Sequence, residues 1–555
     1  MTKMTGAQIV IECLKEQKVD TIFGYQGGAV IPLFDALYDE KDTFNIIRPA
    51  HEQNAVHGAD AYARTTGKIG VCMVTSGPGA SNTVTGIANA YMDSVPLVVI
   101  TGQVASGLLG KDSFQEIDIT GITMPITKYN MLVKDISQLS NAITKAFNIA
   151  KSGRPGPVLI DITKDVFMGK GEFVSCFVED DQICKPDPEI DRKSAKIARL
   201  INESKKPVIY AGGGVKISKA QEAVVSLAEK NSIPVVNTLM GLGSISRKHR
   251  LSLGLVGMHG FREANFAVTN SDLIIAIGAR FSDRVIGKKD RFAPGAKIIH
   301  IDIDETEIDK NMPSFYSHVC DVQMSLESIY NHLEENSREE WFAQIQSWKM
   351  EDKSSPGAFG AKNIIKTING NFDGEDIVVT DVGQHQMWTA QYWDFNGKTQ
   401  FVTSGGLGTM GFGLGAAFGS KVGNPDKNVI LFVGDGGFRM SCHELVTISK
   451  YKIPVLIVLI NNSTLGMVRQ WQKLFSNKRY METDIGEDVD YIKLAEAYGI
   501  KASKVEDLES LKEVISGLGK IEEPVLIECK ISKDDCVMPM VPPGEAIDEL
   551  ITETY

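Results

Sequence analysis

An aspartate and an asparagine stand at a spacing that could hold a metal ion. Gly434-Asp435-Gly436-Gly437 follows one apolar run, and Asn461-Asn462 follows the next. Successive parallel strands end at the same sheet edge, so Asp435 and Asn462 should lie side by side. Mg²⁺ prefers such hard oxygen ligands and usually keeps a phosphate partner, while a glycine turn admits a diphosphate. The alternative is a surface turn followed by an Asn pair at a strand end.

A second glycine turn, Gly406-Leu-Gly-Thr-Met-Gly411, matches the GxGxxG pattern of dinucleotide-binding turns. We reject that interpretation because the downstream acidic residue that the pattern requires is Asp435, which already belongs to the candidate metal site. Glu52 precedes an Ala-rich helix. Taken alone, it is best explained as a carboxylate favoured by the dipole of that helix.

An internal repeat connects these features. A Gly/Ala-rich helix, a strand and a glycine turn occur near the N-terminus, and the same order returns near the C-terminus. Aligning Gly58 with Gly415 also aligns Gly77 with Gly434. Two related units that face each other could hold one ligand between Glu52 and the second glycine turn. The alternative is that any two Gly-rich α/β units resemble each other.

The elements that must position these residues follow one rhythm. Short β-branched runs, each followed by glycines and a helical pattern, recur along the chain. This order is typical of parallel sheets with helices on both faces. Polar, Pro-containing stretches at 169–192 and 334–360 resemble linkers. We therefore predict an α/β protein with three doubly wound parallel-sheet domains, at residues 1–180, 190–335 and 360–555.

The composition excludes several classes of protein. The chain has 555 residues and a net charge of −12, which argues against a nucleic-acid partner. Its eight cysteines form no CxxC pair, so neither a zinc ribbon nor a disulfide framework is indicated. We see no apolar run long enough for a membrane span, and the amphipathic N-terminal segment does not resemble a signal peptide. We expect a cytoplasmic protein without a membrane or nucleic-acid partner.

Further motifs cover nearly the whole chain in order: Ser113-Phe-Gln-Glu116, Gly153-Arg-Pro-Gly-Pro-Val158 with Lys164-Asp165, Gly257-Met-His-Gly260, Gly278-Ala-Arg-Phe-Ser-Asp-Arg284, Gly466-Met-Val-Arg-Gln-Trp471 and Met538-Pro-Met-Val-Pro-Pro-Gly544. With the GDGG and NN pair, this set resembles the acetolactate synthase catalytic subunits, a family of thiamine diphosphate (ThDP) enzymes. Two positions depart from the family pattern. Gln26 replaces a Pro and Ser282 replaces an Asp, which leaves the detail of both loops open.

The resemblance implies ThDP, Mg²⁺ and FAD as cofactors, with pyrimidine-binding, FAD-binding and diphosphate-binding domains in that order. Asp435, Asn462 and the backbone carbonyl of Thr464 would bind the metal. The implied ThDP contacts are Gly28, Glu52, Thr75, Pro78, Asn82, Val382, Gln384, His385, Gly408, Met410, Gly434, Asp435, Gly436, Gly437, Asn462, Gly466 and Met467. The implied FAD contacts are Arg154, Gly212, Gly214, Thr238, Leu239, Met258, His259, Gly278, Arg280, Asp302 and Asp321.

The resemblance also implies the reaction. Pyruvate would lose CO₂ on ThDP, and the two-carbon unit would be ligated to pyruvate or 2-oxobutyrate, the first common step of branched-chain amino-acid synthesis. Glu52 would protonate N1′ of the aminopyrimidine. Arg284 would pair with the acceptor carboxylate, and Trp471 would shape the acceptor pocket. The implied catalytic set is Glu52, Gln115, Lys164, Arg284 and Trp471.

Several alternatives stay open. A related ThDP enzyme could be a 2-oxo acid decarboxylase, a pyruvate oxidase or a dione hydrolase, and a flavin-binding homologue could be non-catalytic. Trp471 could also be a core aromatic residue. We expect His385 to contact the ligand and His57 to be structural. The family implies a homodimer or homotetramer, because Glu52 of one subunit serves the diphosphate site of another, and it implies a separate regulatory small subunit.

Overall fold

The computed structural model describes residues 3–176, 188–350 and 357–552. It contains three six-stranded parallel sheets flanked by helices, which confirms the predicted α/β class and its three sheet domains. Parts of both predicted linkers, 177–187 and 351–356, lie outside the described residues, so the exact domain boundaries stay predictions. No helix among the described residues is long and apolar enough to cross a membrane.

The first domain begins with β1 (Lys3–Thr5), which pairs antiparallel with β8 (Lys170–Glu172). Its main sheet has the order β3-β2-β4-β5-β7-β6. The strands are β2 (Thr21–Tyr25), β3 (Asn45–Ile47), β4 (Gly70–Val74), β5 (Leu97–Gln103), β6 (Tyr129–Val133) and β7 (Pro157–Thr163). The helices are α1 (Gly6–Glu16), α2 (Ile31–Tyr38), α3 (Glu52–Thr66), α4 (Pro78–Ser81), α5 (Val84–Met92), α6 (Ile119–Thr123), α7 (Leu139–Lys151) and α8 (Lys164–Met168).

The middle sheet has the order β11-β10-β9-β12-β13-β14, which is the strand order of dinucleotide-binding folds. Its strands are β9 (Pro207–Ala211), β10 (Val235–Asn237), β11 (Ser252–Leu255), β12 (Leu273–Ile277), β13 (Lys297–Asp302) and β14 (Tyr316–Val319). Its helices are α9 (Pro188–Glu203), α10 (Gly213–Ile217), α11 (Gln221–Lys230), α12 (Arg262–Thr269), α13 (Asp283–Ile286), α14 (Val322–His332) and α15 (Glu339–Ser347).

The third sheet has the order β16-β15-β17-β18-β20-β19. When the strands are counted along the chain from β2 in the first sheet and from β15 in the third, the two sheets have the same strand order, so β4 and β17 are counterparts. Its strands are β15 (Ile377–Thr380), β16 (Gln400–Val402), β17 (Val429–Gly434), β18 (Leu456–Asn461), β19 (Lys501–Val505) and β20 (Val525–Lys530). Its helices are α16 (Ala361–Asn369), α17 (Gln384–Tyr392), α18 (Phe412–Gly423), α19 (Asp435–Ser441), α20 (Leu445–Lys450), α21 (Gly466–Phe475), α22 (Tyr491–Ala497) and α23 (Leu508–Ser516).

The first and third domains pack on each other through equivalent helices, α3 and α18. A Cβ atom on Gly419 would overlap the carbonyl oxygen of Gly58, so the two backbones touch where both residues lack a side chain. Phe23 and Phe418 stack beside this contact with ring centroids 6.2 Å apart. The repeat predicted from glycine spacing is therefore present as a shared topology, and its two copies form one interdomain core.

Candidate cofactor and substrate site

The candidate metal ligands meet at the carboxyl edge of the third sheet. β17 and β18 are neighbouring strands, so Asp435 and Asn462 follow adjacent strand ends. Asp435 is buried, and its Oδ2 atom has no hydrogen-bond partner within the described residues. Burial raises the pKa of this carboxyl group to about 6. A divalent cation would restore the favourable electrostatics that burial removes, so this carboxylate fits Mg²⁺.

A chain of buried amides orients the second candidate ligand. Asn462 Nδ2 donates to Gln384 Oε1 at 3.1 Å, so its Oδ1 atom is the end left to accept or ligate. Gln384 Nε2 donates to Gln470 Oε1 at 3.0 Å and to the Asp535 carbonyl at 2.8 Å. Gln470 Nε2 donates to the Val537 carbonyl at 3.0 Å. The orientation of Asn462 is thereby tied to the C-terminal segment.

The other predicted diphosphate residues surround the same turn. The Nε2 atom of His385 is buried without a partner in the described part of the chain, and burial lowers the pKa of its ring to about 3. The ring lies against Gly434, where a Cβ would be 2.9 Å from Nδ1. A Cβ on Gly466 would overlap the Gln384 side chain. Thr464 is buried, with its hydroxyl donating to the Thr483 carbonyl at 2.7 Å. Met467 is half-buried on α21.

The turn at 406–411 lies beside the GDGG turn. Gly408 has a φ of 73°, and a Cβ there would meet no atom within 4 Å, so its backbone faces open space. A Cβ on Gly436 would lie 3.5 Å from Met410 Cε, which brings the two predicted ThDP segments together. Gly437 packs against Asp381, where a Cβ would overlap the carboxylate.

Glu52 stands at the carboxyl edge of the first sheet, where it begins α3. Asn82 Nδ2 donates to Glu52 Oε2 at 2.9 Å. Thr75 and Pro78 follow β4, and Gly28 follows the neighbouring strand β2, so these residues share one edge. The structure therefore groups the residues predicted for the pyrimidine end of ThDP.

Within one chain, the two groups remain separate. The described hydrogen bond of the Glu52 carboxylate lies in the first domain, and those of Asp435 and Asn462 lie in the third. Across residues 3–176, 188–350 and 357–552, no hydrogen bond joins Glu52 to the turn at 406–411 or to Asp435.

Two predicted catalytic residues lie on the loops beyond the first sheet. Gln115 has a φ of 61° and covers Gly77, where a Cβ would lie 2.9 Å from Gln115 Cα. Lys164 begins α8 directly after β7 and is half-buried. Neither side chain has a described hydrogen bond to Glu52 or Arg284, so the structure places them near the edge without joining them to the other catalytic candidates.

The predicted acceptor residues do come together, although they belong to different domains. The guanidinium carbon of Arg284 lies 5.6 Å from the centroid of the Trp471 ring. The backbone of Arg284 accepts a 2.8 Å bond from Met258, whose carbonyl in turn accepts from Val541 in the C-terminal segment at 2.8 Å. This segment closes a cavity of about 190 Å³ lined by Met258, Asp283, Arg284, Gly287, Val541, Pro542, Pro543, Gly544 and Ile547.

Comparisons with known proteins agree with this geometry. Models of the N-terminal TPP-binding, central and C-terminal TPP-binding domains of thiamine pyrophosphate (TPP, synonymous with ThDP) enzymes match residues 4–122, 194–329 and 381–529. The chain is 45% identical to a probable acetolactate synthase large subunit of Methanocaldococcus jannaschii, over 99% of this chain and 95% of the relative. It is 43% identical to the large subunit of Lactococcus lactis, over 99% and 96%. It is 40% identical to the large subunit of isozyme 2 of Escherichia coli, over 99% of both chains.

The chain belongs to the acetolactate synthase large-subunit family. Its first and third domains are the ThDP-binding domains of that family, which confirms ThDP as a cofactor. Glu52 lies in the N-terminal and Asp435 in the C-terminal of these two ThDP-binding domains.

The residues predicted for flavin lie mostly at the carboxyl edge of the central family domain. This sheet reverses strand order between β9 and β12, where nucleotides bind in open α/β sheets. Gly212 and Gly214 follow β9, and Gly278 follows β12. A Cβ on Gly214 would lie 2.6 Å from Gly278 Cα, so both turns need glycine. Other predicted residues that end or follow strands of this sheet are Thr238, Leu239, Met258, His259, Arg280, Asp302 and Asp321.

Some of these flavin candidates already have protein partners. Arg154 Nη1 pairs with Glu307 at 2.7 Å and Asp304 at 3.1 Å. The carboxylate of Asp321 caps α14 by accepting from a backbone N–H. His259, in contrast, is buried with an unpartnered Nδ1 in the described part of the chain, and burial lowers its pKa to about 4. The close glycine turns and this orphaned nitrogen fit a nucleotide ligand.

Two further buried polar residues, His57 and Asp381, lie close to the turn at 406–411 and α18. His57 is buried and packs edge-on to Phe412 with ring centroids 5.1 Å apart, in a structural position. Asp381, not singled out from sequence, is buried and accepts from the N–H groups of Val382, Gly411 and Gly413 at 2.8, 3.0 and 2.7 Å. It fastens the turn at 406–411 to the end of β15. The available signal was an Asp directly after an apolar strand and two residues before Gly383.

Proposed function

We propose that this chain is the catalytic subunit of an acetolactate synthase. It decarboxylates pyruvate on ThDP and ligates the two-carbon unit to a second 2-oxo acid, pyruvate or 2-oxobutyrate, in the first common step of branched-chain amino-acid synthesis. The observation that carries this proposal is the contact between Arg284 of the central domain and Trp471 of the C-terminal ThDP-binding domain. A decarboxylase needs no second carboxylate site, whereas a ligase must bind an acceptor.

Bound ThDP supplies a nucleophilic carbon and an electron sink for decarboxylation. Asp435, Asn462 and the carbonyl of Thr464 would hold Mg²⁺, whose charge would offset that of the diphosphate. The orphaned oxygen of Asp435 and the oriented amide of Asn462 support this set. FAD occupies the edge of the central domain at Gly212 and Gly214 and serves as a structural cofactor, since the reaction has no net oxidation.

The chain's own side chains position protons and substrates. Glu52 holds a proton at N1′ of the aminopyrimidine; the 2.9 Å bond from Asn82 engages Oε2 and leaves Oε1 for that proton. Arg284 binds the acceptor carboxylate, which a guanidinium matches bidentately. Trp471 limits the pocket beside it, and one acceptor methylene is worth about 1–3 kcal/mol there. Gln115 and Lys164 complete the proposed catalytic set from the loops beyond the first sheet.

The assembly is a homodimer or homotetramer in which two chains share each ThDP site. Large apolar side chains near the cofactor-facing segments are exposed in the isolated chain, namely Phe114, Met124, Leu407, Met440 and Met481. Such exposure around a site favours burial by a second chain. Because relatives carry the name large subunit, we extend the proposal to a separate small subunit with a regulatory role.

The first test measures products from pyruvate with and without ThDP and Mg²⁺. We expect 2-acetolactate to require both cofactors.

Glu52→Gln should reduce the rate by at least about a hundredfold, because an amide cannot exchange the N1′ proton. The control Glu203→Gln removes a solvent-exposed helical carboxylate that pairs with Arg199 at 2.8 Å, and it should retain full activity. Acetaldehyde or acetyl phosphate as the main product would refute the proposal, and a fully active Glu52→Gln would refute the role of that residue.

A further inference from the structure

A carboxylate from the third domain holds the segment that leads to Glu52. Glu444 is fully buried between α19 and α20. Its Oε2 atom accepts from the N–H of Ala50 and its Oε1 atom from the N–H of His51, both at 3.0 Å. Thr447 Oγ1 donates to Oε2 at 2.6 Å and fixes the carboxylate. The two residues directly before Glu52 are therefore anchored from another domain.

The surrounding contacts extend this anchor. Tyr451 Oη accepts from the N–H of Arg48 at 3.0 Å. The Nε2 atom of His443 lies 3.3 Å from Asn54 Nδ2. The stretch 443–451 thus lies along 48–54, and Glu444 makes the central contact.

A second carboxylate makes the same kind of contact in the opposite direction. Asp93 directly follows α5 in the first domain and is buried. It accepts from the N–H of Gly405 at 3.0 Å and from the N–H of Gly406 at 2.7 Å, both in the third domain. Arg64 donates to Asp93 at 3.0 Å and also to the Thr403 carbonyl at 3.0 Å. The turn that carries Gly408 and Met410 is anchored here.

These two anchors lie in counterpart stretches of the repeat, but at opposite ends of the counterpart helices, because Asp93 directly follows α5 and Glu444 directly precedes α20. The stretch that ends in α5 follows β4, and the stretch that ends in α20 follows β17, its counterpart in the third sheet. The anchored segments precede α3 and α18, which are also counterparts. In each case, one carboxylate accepts from two consecutive N–H groups in the segment that leads to the equivalent helix of the other domain, directly before α3 and at the start of the 406–411 turn before α18. The arrangement is reciprocal, so it is a feature of the paired domains and not of one loop.

We propose that Glu444 and Asp93 are positioning residues, each of which sets from the opposite domain a segment facing the aminopyrimidine end of ThDP. Glu444 acts through Glu52, and Asp93 acts through the turn at 406–411. A carboxylate is required because it offers two acceptor oxygens to two donors, whereas a side-chain amide would turn an N–H group toward one of them. The roles in catalysis rest on the proposed function; the anchoring does not.

The test is amide hydrogen exchange, read by mass spectrometry, of the full chain without cofactors. Glu444→Gln should accelerate exchange in 48–54 by at least about tenfold and leave 404–411 unchanged. Asp93→Asn should do the reverse. The matched control is Asp376→Asn. Asp376 is a buried carboxylate at the amino end of β15, where it accepts from Gly374 N–H and Asn428 Nδ2, both at 3.1 Å. Asp376→Asn should leave exchange in both 48–54 and 404–411 unchanged.

Kinetics supply the second measurement. Glu444→Gln should lower kcat about tenfold with the KM for pyruvate and the ThDP dissociation constant within about twofold, because Glu52 is misplaced while the diphosphate site is intact. Asp93→Asn should instead raise the ThDP dissociation constant. If Glu444→Gln does not fold, Thr447→Val replaces it, since it removes the bond that fixes Glu444, and a smaller increase in exchange at 48–54 is expected.

The proposal would be overturned if Glu444→Gln left exchange in 48–54 unchanged and Asp93→Asn left exchange in 404–411 unchanged. An equal increase in both segments for every variant would also overturn it. If the variants show the expected changes in exchange but keep the natural kcat and ThDP affinity, the positioning roles would be overturned. A natural chain that forms no acetolactate would refute the proposed function instead, and the exchange pattern of the cofactor-free protein would still report on the anchors.

Discussion

The buried polar side chains around the site differ in whether their hydrogen bonds are complete. Asp381 accepts from three N–H groups, whereas Asp435 keeps one oxygen and His385 one nitrogen without a partner in the described residues. A buried polar atom without a partner costs about 1–3 kcal/mol. Asp435 and His385 both lie next to Gly434, so the polar atoms without a partner are concentrated where the diphosphate and its metal are proposed to bind. Asp381, in contrast, only holds the neighbouring turn in place.

Asp161 should make the stability of the first domain depend on pH. Thr101 Oγ1 and Gln103 Nε2 donate to its carboxyl group at 2.7 and 2.9 Å, but burial dominates and raises its pKa from 3.8 to about 7. The folded chain therefore holds this proton more tightly than the unfolded chain. Its contribution to stability is complete below about pH 4 and is lost as the pH rises to about 7.

The substitution Asp161→Asn gives a side chain that is neutral at every pH. We expect the melting temperature of this variant, relative to that of the natural chain, to rise by roughly 5 °C from pH 5 to pH 8. Scanning calorimetry of both proteins at the two pH values checks this. The comparison at pH 5 is the reference for packing changes, since the folded chain then holds Asp161 protonated, and the change in the difference from pH 5 to pH 8 reports the titration. A difference between the two proteins that does not change with pH would contradict the assignment.

Which residues the sequence could predict depends on how local their signals are. Asp435 and Asn462 follow successive apolar runs, so the spacing itself places them at one edge. Asp381 is different, because its partner Gly411 lies 30 residues away and the contact exists only after the sheet has formed. The same is true of Glu444, which meets His51 across 393 residues. Motif resemblance named Glu52 but contained nothing about its anchor.

The candidate site residues lie on turns that follow strands, and the packing of α3 on α18 sets how the first and third domains lie against each other. The glycine alignment correctly indicated that α3 and α18 are equivalent, but it did not predict their contacts. In the structure Gly58 faces Gly419, and Gly415 lies against His57 and Asn54, so the contact between glycines is shifted by about one helical turn from the aligned pair. Packing angle and side-chain size decide that shift, and neither is visible in an alignment of repeats.

The close turns of the central domain allow a test of flavin binding. A Cβ on Gly214 would lie 2.6 Å from Gly278 Cα, so Gly214→Ala must push apart the two turns that follow β9 and β12. We expect the purified variant to retain less than about a tenth of the flavin absorbance of the natural protein. Gly213→Ala is the matched control, because its Cβ would meet only Met240, at 3.2 Å from the side-chain Cβ and 3.9 Å from the carbonyl oxygen. Equal flavin content in both variants would contradict the proposed site.

The whole molecule joins two related domains in a reciprocal way. Each chain carries Glu52 on one sheet edge and Asp435 on another, and Glu444 and Asp93 link the two edges within the chain. If two chains share each ThDP site, one chain gives Glu52 to one site and its 406–411 turn to the other. The two anchors then connect both sites of a dimer through each polypeptide. This consequence depends on the shared site, which can be tested by mixing inactive chains.

Co-expression of Glu52→Gln and Asp435→Asn chains should restore activity that neither variant has alone. In a mixed dimer, one site combines both altered residues and stays inactive. The other combines the unaltered Glu52 of one chain with the unaltered Asp435 of its partner. Random pairing makes half of the dimers mixed, each with one working site, so the mixture should reach about a quarter of the natural rate. Tagging the two chains differently and purifying the mixed species should raise this to about half, with each variant expressed alone as the control. If each chain holds its own complete site, the mixture will stay as inactive as its parents, because every site would still contain one altered residue.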